Sequence, residues 1–313
     1  MKLLLTGASS FTGYWFAQTL RSRGHEVLSP LLGKRGSYSG VRGERVAQLE
    51  SLGVVISWET PFGSDGFFDL VGEGIDMVCH HAAHVENYKS PDFDVVAAIH
   101  QNTRNVKSLF ERAKKAGIRA IVHTGSVFEE GEGCGESPLR AFSPYGLSKG
   151  LTHQIFHYWS QVSAVPLSKF VIPNPFGPFE EPRFCAYLLQ CWTKKTVATV
   201  KTPAYIRDNI PVSLLALSYA DFVEKTYKDP TSIKYGPMGY VETQGAFAQR
   251  FAQEIGNRLS IRTPLEFLPQ TDFSEPLIRI NKDSPHIECL GWNEEIFWNE
   301  LGDYYRRVYA IGG

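Results

Sequence analysis

The stretch Thr6-Gly7-Ala8-Ser9-Ser10-Phe11-Thr12-Gly13 decides the fold, because it joins a short apolar run to a helical pattern. Residues 2–5 before it predict a buried strand, and residues 11–23 predict a helix. A turn between a strand and a helix presents backbone N–H groups and the helix dipole, which together suit a pyrophosphate. The stretch therefore predicts a dinucleotide site, and a tight turn that binds nothing is the alternative at this point. The expected cofactor contacts within it are Gly7, Ser9, Ser10, Phe11, Thr12 and Gly13.

Strand and helix patterns alternate through the rest of the first half. Apolar runs at residues 25–29, 54–58, 77–80 and 120–124 predict four more strands, and residues 102–117 predict a helix. This alternation favours an α/β fold, a Rossmann-type doubly wound parallel sheet with a smaller C-terminal substrate-binding lobe. Ligands of such sheets bind outside the carboxyl ends of the strands.

The pattern becomes less regular after about Pro173. We expect a dinucleotide-binding Rossmann domain over residues 1–173, to which segments near 206–243 return. Residues 174–205 and 244–313 are expected to form the smaller lobe. Helical periods in this part of the chain cover residues 184–192 and 293–308.

Composition excludes several classes of protein. With 313 residues, 43% hydrophobic and 21% charged, the chain has the balance of an ordinary globular protein rather than a disordered one. A net charge of -1 gives no general attraction to nucleic acid or an anionic membrane. The five cysteines lack any C-x-x-C pairing, and no apolar stretch has membrane length. We expect a cytoplasmic protein with reduced thiols and no metal, since His80, His81 and His84 would not share one face.

The loop after the second predicted strand bears on the cofactor. An NAD site usually places an acid there on the ribose 2′-hydroxyl, but this chain has Pro30 followed by Lys34 and Arg35. Basic side chains suit the 2′-phosphate of NADP, so we expect NADP(H) to be preferred, with NAD(H) as the alternative. A solvated basic loop is the simpler interpretation of Lys34 and Arg35.

A tyrosine and a lysine at helical spacing provide the candidate acid/base pair. Tyr145 and Lys149 lie at i and i+4 on a helix that Pro144 would help to start. A lysine ammonium would favour tyrosinate, lowering the phenol pKa from about 10. One Tyr-x-x-x-Lys spacing is expected by chance among fourteen tyrosines, so the spacing alone is weak evidence for an acid/base pair. The evidence comes from its position after the strand that ends near Thr124.

With these motifs the chain resembles the extended short-chain dehydrogenase/reductase superfamily, and within it the nucleotide-sugar epimerases, dehydratases and reductases. The resemblance covers nearly the whole length. It continues through His80-His81-Ala82-Ala83, Asn102, Gly135-Glu136-Ser137-Pro138, Asn174-Pro175-Phe176-Gly177-Pro178, Ile206-Arg207-Asp208-Asn209-Ile210-Pro211-Val212 and Leu290-Gly291-Trp292. The departures from the family pattern are Ser10 for a glycine, Pro30 for an acid, and Asn105-Val106 for Gly-Thr.

The resemblance implies roles for individual residues. Thr124, Tyr145 and Lys149 are the expected catalytic residues, with Ser126 as a less favoured alternative to the threonine. Further expected cofactor contacts are Glu59, His81, Ala82, Ala83, Asn102 and Pro173, in addition to Tyr145 and Lys149. The expected substrate contacts are His84, Ser126, Asn174, Arg183 and Arg207, the last on a diphosphate unless it is only a surface salt bridge. His80 is expected to pack.

The expected activity is NADP(H)-dependent reduction of a 4-keto-sugar nucleotide. An NAD-dependent nucleotide-sugar epimerase is the first alternative, and a non-enzymatic dinucleotide sensor is the alternative of another class. Dehydration is not expected, because family dehydratases place an acid within two residues after the catalytic threonine, where this chain has Gly125 and Ser126. Glu129 and Glu130 are close in sequence, but we expect them in a solvated loop. The partner would be a small nucleotide sugar, and a homodimer stays open.

Overall fold

The computed structural model describes residues 1–72 and 74–311 of the chain. The strands in these ranges are β1 (Lys2–Thr6), β2 (Glu26–Pro30), β3 (Val55–Ser57), β4 (Met77–His80), β5 (Ala120–Ser126), β6 (Cys134–Gly135), β7 (Leu167–Ile172), β8 (Asn174–Phe176), β9 (Ala198–Val200), β10 (Ile206–Pro211), β11 (Lys234–Tyr235), β12 (Tyr240–Thr243), β13 (Leu265–Phe267) and β14 (Arg279–Ile280). The α-helices are α1 (Phe11–Ser22), α2 (Gly40–Ser51), α3 (Asp65–Leu70), α4 (Val95–Asn102), α5 (Val106–Lys115), α6 (Pro144–Ser163), α7 (Phe184–Thr193), α8 (Val212–Lys228), α9 (Gln244–Leu259), α10 (Ile287–Leu290) and α11 (Glu294–Val308).

A seven-stranded parallel sheet forms the centre of the fold, in the order β11-β7-β5-β4-β1-β2-β3. The chain first builds outward from β1 through β2 to β3, and then returns to add β4 and its neighbours on the other side. Strand order therefore reverses between β1 and β4, and ligands of doubly wound sheets bind at such a point. The predicted Rossmann-type sheet is confirmed.

Helices cover both faces of this sheet, which explains the nearly continuous apolar runs of its strands. On one face, α1, α2 and α8 pack over Leu3, Leu5 and Val122, which are fully buried. On the other face, α3, α5 and α6 pack over Leu4 and Ile121. Successive side chains of a strand point to opposite faces, so alternate residues of β1 and β5 supply the two cores.

A further hydrophobic core, separate from the two on the sheet faces, lies in the C-terminal half. Its buried residues come from α7, β9, α9 and α11, with Phe176 and Trp298 among the aromatic rings at its centre. The segment 206–243 is divided between the two parts of the fold. Helix α8 and strand β11 join the main sheet region, whereas β10 and β12 form a separate three-stranded sheet with β8. Of the segments near 206–243, α8 and β11 thus lie with the main sheet, and the predicted domain bounds stay a prediction.

The predicted helix over residues 102–117 is also corrected. Asn102 is the last residue of α4, and α5 begins only at Val106. Between them Asn105 adopts a left-handed backbone with φ of 53°, which a continuing right-handed helix does not allow. The Asn105 side chain donates to the carbonyl of Gly63 at 2.8 Å, which stabilises the turn. No helix within residues 1–72 or 74–311 is long and apolar enough to cross a membrane.

Candidate active site

A large cleft opens at the carboxyl ends of β1, β2, β4 and β5, with a volume of about 1350 Å³. The glycine turn lines one side, and residues of β8, β10 and α7 line the other. Most residues expected from the sequence to bind cofactor or substrate border this cleft. They are Gly7, Ser9, Ser10, Phe11, Thr12, His81, Ala82, Ala83, His84, Asn102, Thr124, Ser126, Tyr145, Lys149, Pro173, Asn174, Arg183 and Arg207.

Glycine is required twice in the turn between β1 and α1. Gly7 has φ of 77°, and a Cβ there would lie 2.8 Å from the backbone nitrogen of Ala82. At Gly13 a Cβ would lie 2.2 Å from the Gly7 carbonyl oxygen, so this residue allows the helix to pack against the turn. A backbone this open at a helix N-terminus fits a dinucleotide pyrophosphate.

Ser10, which replaces a family glycine, caps the helix. Its hydroxyl accepts from the Gly13 N–H at 3.2 Å and donates to the Gly7 carbonyl at 2.8 Å. The ring Nε2 of His81 contacts the hydroxyls of both Ser10 and Thr12, at 3.2 and 2.9 Å. Burial lowers the pKa of His81 to about 3, so the ring is neutral. The serine therefore stabilises the turn rather than disturbing it.

The segment after β4 is held by side-chain to backbone hydrogen bonds. The Thr6 hydroxyl accepts from the N–H groups of His81 and Ala82, each at 3.0 Å. The Asn102 side-chain oxygen accepts from the His84 N–H at 2.7 Å. His80 packs in the core against Phe156, as predicted, with ring centroids 4.9 Å apart. Asn102 thus orders the cleft wall through its side-chain oxygen.

Lys149 is buried at the base of the cleft and reaches the end of β5. Its ammonium donates to the Thr124 carbonyl at 2.7 Å. Burial, opposed in part by Glu129, lowers the pKa of Lys149 to about 8. The Thr124 hydroxyl is buried beside the Tyr219 phenol, and the threonine borders the cleft. A hydroxyl at a strand end is able to bond a substrate oxygen.

Tyr145 lies under aromatic rings of the loop after β4. Tyr88 and Phe93 meet its ring edge to face, with centroids 5.4 and 6.0 Å away. Burial first, and the Glu129 carboxylate second, raise the pKa of Tyr145. The expectation that Lys149 draws this pKa down is wrong for the protein alone, because burial and the Glu129 carboxylate raise it. Tyr145 is accordingly a protonated phenol, ready to donate.

A buried ion pair lies directly behind the carboxyl end of β5. Glu129 accepts from the Ser126 N–H at 2.6 Å and pairs with Lys169 at 2.6 Å, and Lys169 also meets Glu132 at 2.7 Å. The expectation that Glu129 belongs to a solvated loop is therefore wrong, since its side chain is fully buried. Gly125 leaves room for the pair, because a Cβ there would lie 2.5 Å from Lys169 Cε.

Two arginines line the other half of the cleft. The guanidinium of Arg183 lies 5.7 Å from the centre of the Tyr88 ring, close to the Tyr145 phenol. Arg207 pairs with Glu275 at 2.8 Å and donates to the carbonyl of Pro276 at 3.0 Å. It is only 7% exposed, so the alternative of a surface salt bridge does not hold. An anionic substrate would meet Arg207 only in competition with Glu275.

Four expected cofactor contacts do not border the cleft. Gly13 lies against the Gly7 carbonyl. Lys34 and Arg35 are exposed, and Arg35 pairs with Glu50 at 3.0 Å. Glu59 is exposed and has a left-handed backbone with φ of 55°, while Thr60 borders the cleft. These four assignments stay predictions.

Arg42, which the sequence did not single out, borders the cleft instead. It extends from the first turn of α2 and donates twice to the Ser9 hydroxyl, from Nε at 3.1 Å and Nη2 at 2.8 Å. Tyr88 and Glu180 are further lining residues that sequence reasoning missed. Burial raises the pKa of Glu180 to about 8. No local motif marks these residues, since each reaches the cleft only through tertiary packing.

Comparison with known proteins agrees with this geometry. Residues 3–210 match the profile of the NAD dependent epimerase/dehydratase family. No curated protein has a significantly similar sequence.

Solved structures have the same fold at low sequence identity. UDP-glucuronic acid 4-epimerase from Bacillus cereus, in complex with NAD and UDP-4-deoxy-4-fluoro-glucuronic acid, is 18% identical with a TM-score of 0.77, over 99% of this chain and 100% of its own. dTDP-glucose 4,6-dehydratase from Streptomyces venezuelae is 18% identical with a TM-score of 0.75, over 99% and 98%. UDP-glucose 4-epimerase from Thermus thermophilus is 18% identical with a TM-score of 0.70, over 98% and 99%. The chain therefore belongs to the NAD dependent epimerase/dehydratase family, within the extended short-chain dehydrogenase/reductase superfamily that its motifs indicate.

Proposed function

We propose that the protein is a nucleotide-sugar 4-epimerase, which oxidises a C4 hydroxyl and reduces the resulting ketone from the opposite face. One observation carries the proposal: a single cleft is bordered by the glycine turn, Thr124, Tyr145 and Lys149. The family match and the epimerases among the structural neighbours favour this reaction over others on the same fold. Those neighbours contain NAD, which supplies the hydride acceptor when it is bound.

Three residues of this chain would have separate roles in orienting the substrate, transferring the proton and holding the strand end. Thr124, which borders the cleft, would orient the C4 oxygen through its hydroxyl. Tyr145 as the phenolate would take the hydroxyl proton as hydride leaves C4, and would return it when hydride comes back. Lys149 keeps the strand end in place through its hydrogen bond to the Thr124 carbonyl.

The tyrosine must first lose its proton in this direction. Because burial raises the pKa of Tyr145 in the protein alone, a nearby positive charge is needed to favour the phenolate. An oxidised nicotinamide carries such a charge, so we expect the Tyr145 pKa to fall when the oxidised dinucleotide is present.

A second candidate is reduction of a 4-keto-sugar nucleotide with NADPH. The protonated state of Tyr145 favours it, because this reaction needs a proton donor beside the ketone from the start. The absence of an acid after β2 also favours a phosphorylated dinucleotide. In this reaction a hydride and the Tyr145 proton are both consumed, so the phenol must be reprotonated after each turnover.

One assay distinguishes the two. The purified protein is mixed with UDP- and dTDP-linked hexoses without added cofactor, and C4 epimers are followed by proton NMR. It is then mixed with 4-keto-6-deoxy sugar nucleotides and NADPH, and nicotinamide absorbance is followed. Interconversion in the first arm supports the epimerase, and NADPH oxidation in the second supports the reductase. Activity in either arm that survives Tyr145→Phe would remove this residue from the mechanism.

A further inference from the structure

Arg45 is a buried cation that joins helix α2 to the loop after β8. Its side chain is fully buried within the fold. The guanidinium donates from Nη1 to the Phe179 carbonyl at 2.9 Å and from Nη2 to the Glu181 carboxylate at 2.5 Å. A buried guanidinium is costly unless hydrogen bonds and an opposite charge satisfy it, so the loop must stay close to α2. Arg45 thereby fixes a carbonyl that lies 134 residues away in the chain.

The loop that Arg45 holds begins in an unusual backbone conformation. Phe179 has φ of 67°, a left-handed conformation that a bulky residue rarely adopts. Its ring packs against Tyr14 of α1 and Tyr304 of α11, with ring centroids 5.2 and 5.0 Å away. Because such a conformation persists only where the surroundings hold it, these rings and the Arg45 hydrogen bond together set the direction in which the loop continues.

That direction takes the loop along the wall of the cleft. Glu180, Glu181 and Arg183 all border the cleft. The Arg183 guanidinium lies 5.7 Å from the centre of the Tyr88 ring, and the Tyr88 ring centroid lies 5.4 Å from that of Tyr145. In the proposed reaction Tyr145 acts at C4 of the sugar. The loop therefore faces the hexose part of the substrate.

We propose that Arg45 is a positioning residue for recognition of the hexose. By holding the Phe179 carbonyl and the Glu181 carboxylate, it places the polar atoms of Glu180 and Arg183 where they exchange hydrogen bonds with sugar hydroxyl groups. Arg45 itself is not among the residues that line the cleft, so it acts only through this loop. The inference rests on the proposed function, because its ligand is a nucleotide sugar, and it applies to either reaction above.

Equilibrium binding to an Arg45→Met variant tests this inference without requiring turnover. Methionine fills much of the same space but removes both hydrogen bonds and the charge. UDP-glucose, UDP-glucuronic acid and dTDP-glucose are titrated calorimetrically with NAD present, and UDP, dTDP and NAD are titrated alone. We expect the variant to bind the preferred sugar nucleotide about 10-fold more weakly or worse, the loss for hydrogen bonds to a charged group, with UDP, dTDP and NAD affinities within about twofold.

A double variant separates positioning from a general loss of stability. If Arg45 acts through Arg183, adding Arg45→Met to Arg183→Gln should cost little further affinity for the sugar nucleotide, because effects of coupled residues are not additive. Arg45→Lys keeps the charge but lacks the planar fork, so it should lose less affinity than Arg45→Met. This variant carries the same comparison if Arg45→Met does not fold.

Arg258→Met is the matched control. Arg258 is also largely buried and ion-paired, with Glu254 and Glu295, but it does not border the cleft or contact the loop after β8. We expect this variant to unfold at a lower temperature while every ligand affinity stays the same.

Three results would overturn the inference alone. They are a folded Arg45→Met variant with unchanged affinity for the sugar nucleotide, additive losses in the double variant, and an equal loss of affinity for the sugar nucleotide, the free nucleotide and NAD. Failure of the unmodified protein to bind NAD, NADPH or any of the sugar nucleotides would instead refute the proposed function, and the role of Arg45 with it.

Discussion

Gly125, next to Thr124, allows a test of why this chain lacks the acid expected of a dehydratase. A Cβ at this position would lie 2.5 Å from Lys169 Cε and 2.9 Å from Glu129 Oε1. Both atoms belong to the buried ion pair behind β5. Alanine would therefore displace the pair, and aspartate would add a third buried carboxylate to Glu129 and Glu132.

The expected cost follows from packing and charge burial. Overpacking by one methyl group costs about 1–3 kcal/mol, so we expect Gly125→Ala to lower the free energy of unfolding by that amount. Opening a buried ion pair costs about 3–5 kcal/mol, so Gly125→Asp should reach at least this range. Urea unfolding followed by circular dichroism measures both values. The comparison requires that the slope of the unfolding free energy against urea concentration is the same in the variants and the unmodified protein.

Gly150 offers a matched control on α6. A Cβ there would lie 3.8 Å from the Glu129 Cβ, an ordinary contact. Alanine in a helix interior is favoured over glycine by about 0.5–1 kcal/mol, so Gly150→Ala should be neutral or stabilising. A Gly125→Ala variant as stable as the unmodified protein would refute the packing argument. A folded Gly125→Asp variant that dehydrates a hexose nucleotide at C5 and C6 would contradict our view that the ion pair excludes the acid.

Three further predictions concern the tyrosine, the substrate arginine and acid stability. Tyr145→Phe should lower turnover by about 10²- to 10⁴-fold while nucleotide affinity stays within twofold or so, as single-turnover and titration data would reveal. Glu275→Gln should lower the KM for a nucleotide sugar and leave kcat nearly unchanged, because Arg207 loses its competing carboxylate; an unchanged KM would argue against substrate binding there. The pKa of His153 is lowered from 6.5 to about 3, by burial first and Lys169 second, so the unfolded chain binds a proton in that pH window that the folded protein does not. Stability should therefore fall with pH below 6.5 by up to about 1.4 kcal/mol per pH unit from this ring, and His153→Gln should flatten the fall while exposed His100→Gln should not.

Local sequence patterns were sufficient to predict the features that depend on residues close together in the chain. The glycine turn, the start of α6 at Pro144 and the spacing of Tyr145 and Lys149 were all predictable. Each depends on backbone conformation or helical period over fewer than ten or so residues, and such preferences act without tertiary contacts. The parallel sheet was predictable as well, because alternating strands and helices leave few ways to cover both faces.

Long-range packing decided the features that the sequence did not predict. Arg42 borders the cleft because α2 lies against the glycine turn, and no local motif marks that contact. The burial of Glu129 depends on Lys169, forty residues away on β7. The pKa of Tyr145 likewise reflects surrounding rings and carboxylates rather than Lys149 alone. The sequence by itself determined the fold and the helical spacing of Tyr145 and Lys149, whereas only the tertiary structure decided the charges and partners of these side chains, because Coulomb and burial energies depend on distances in space.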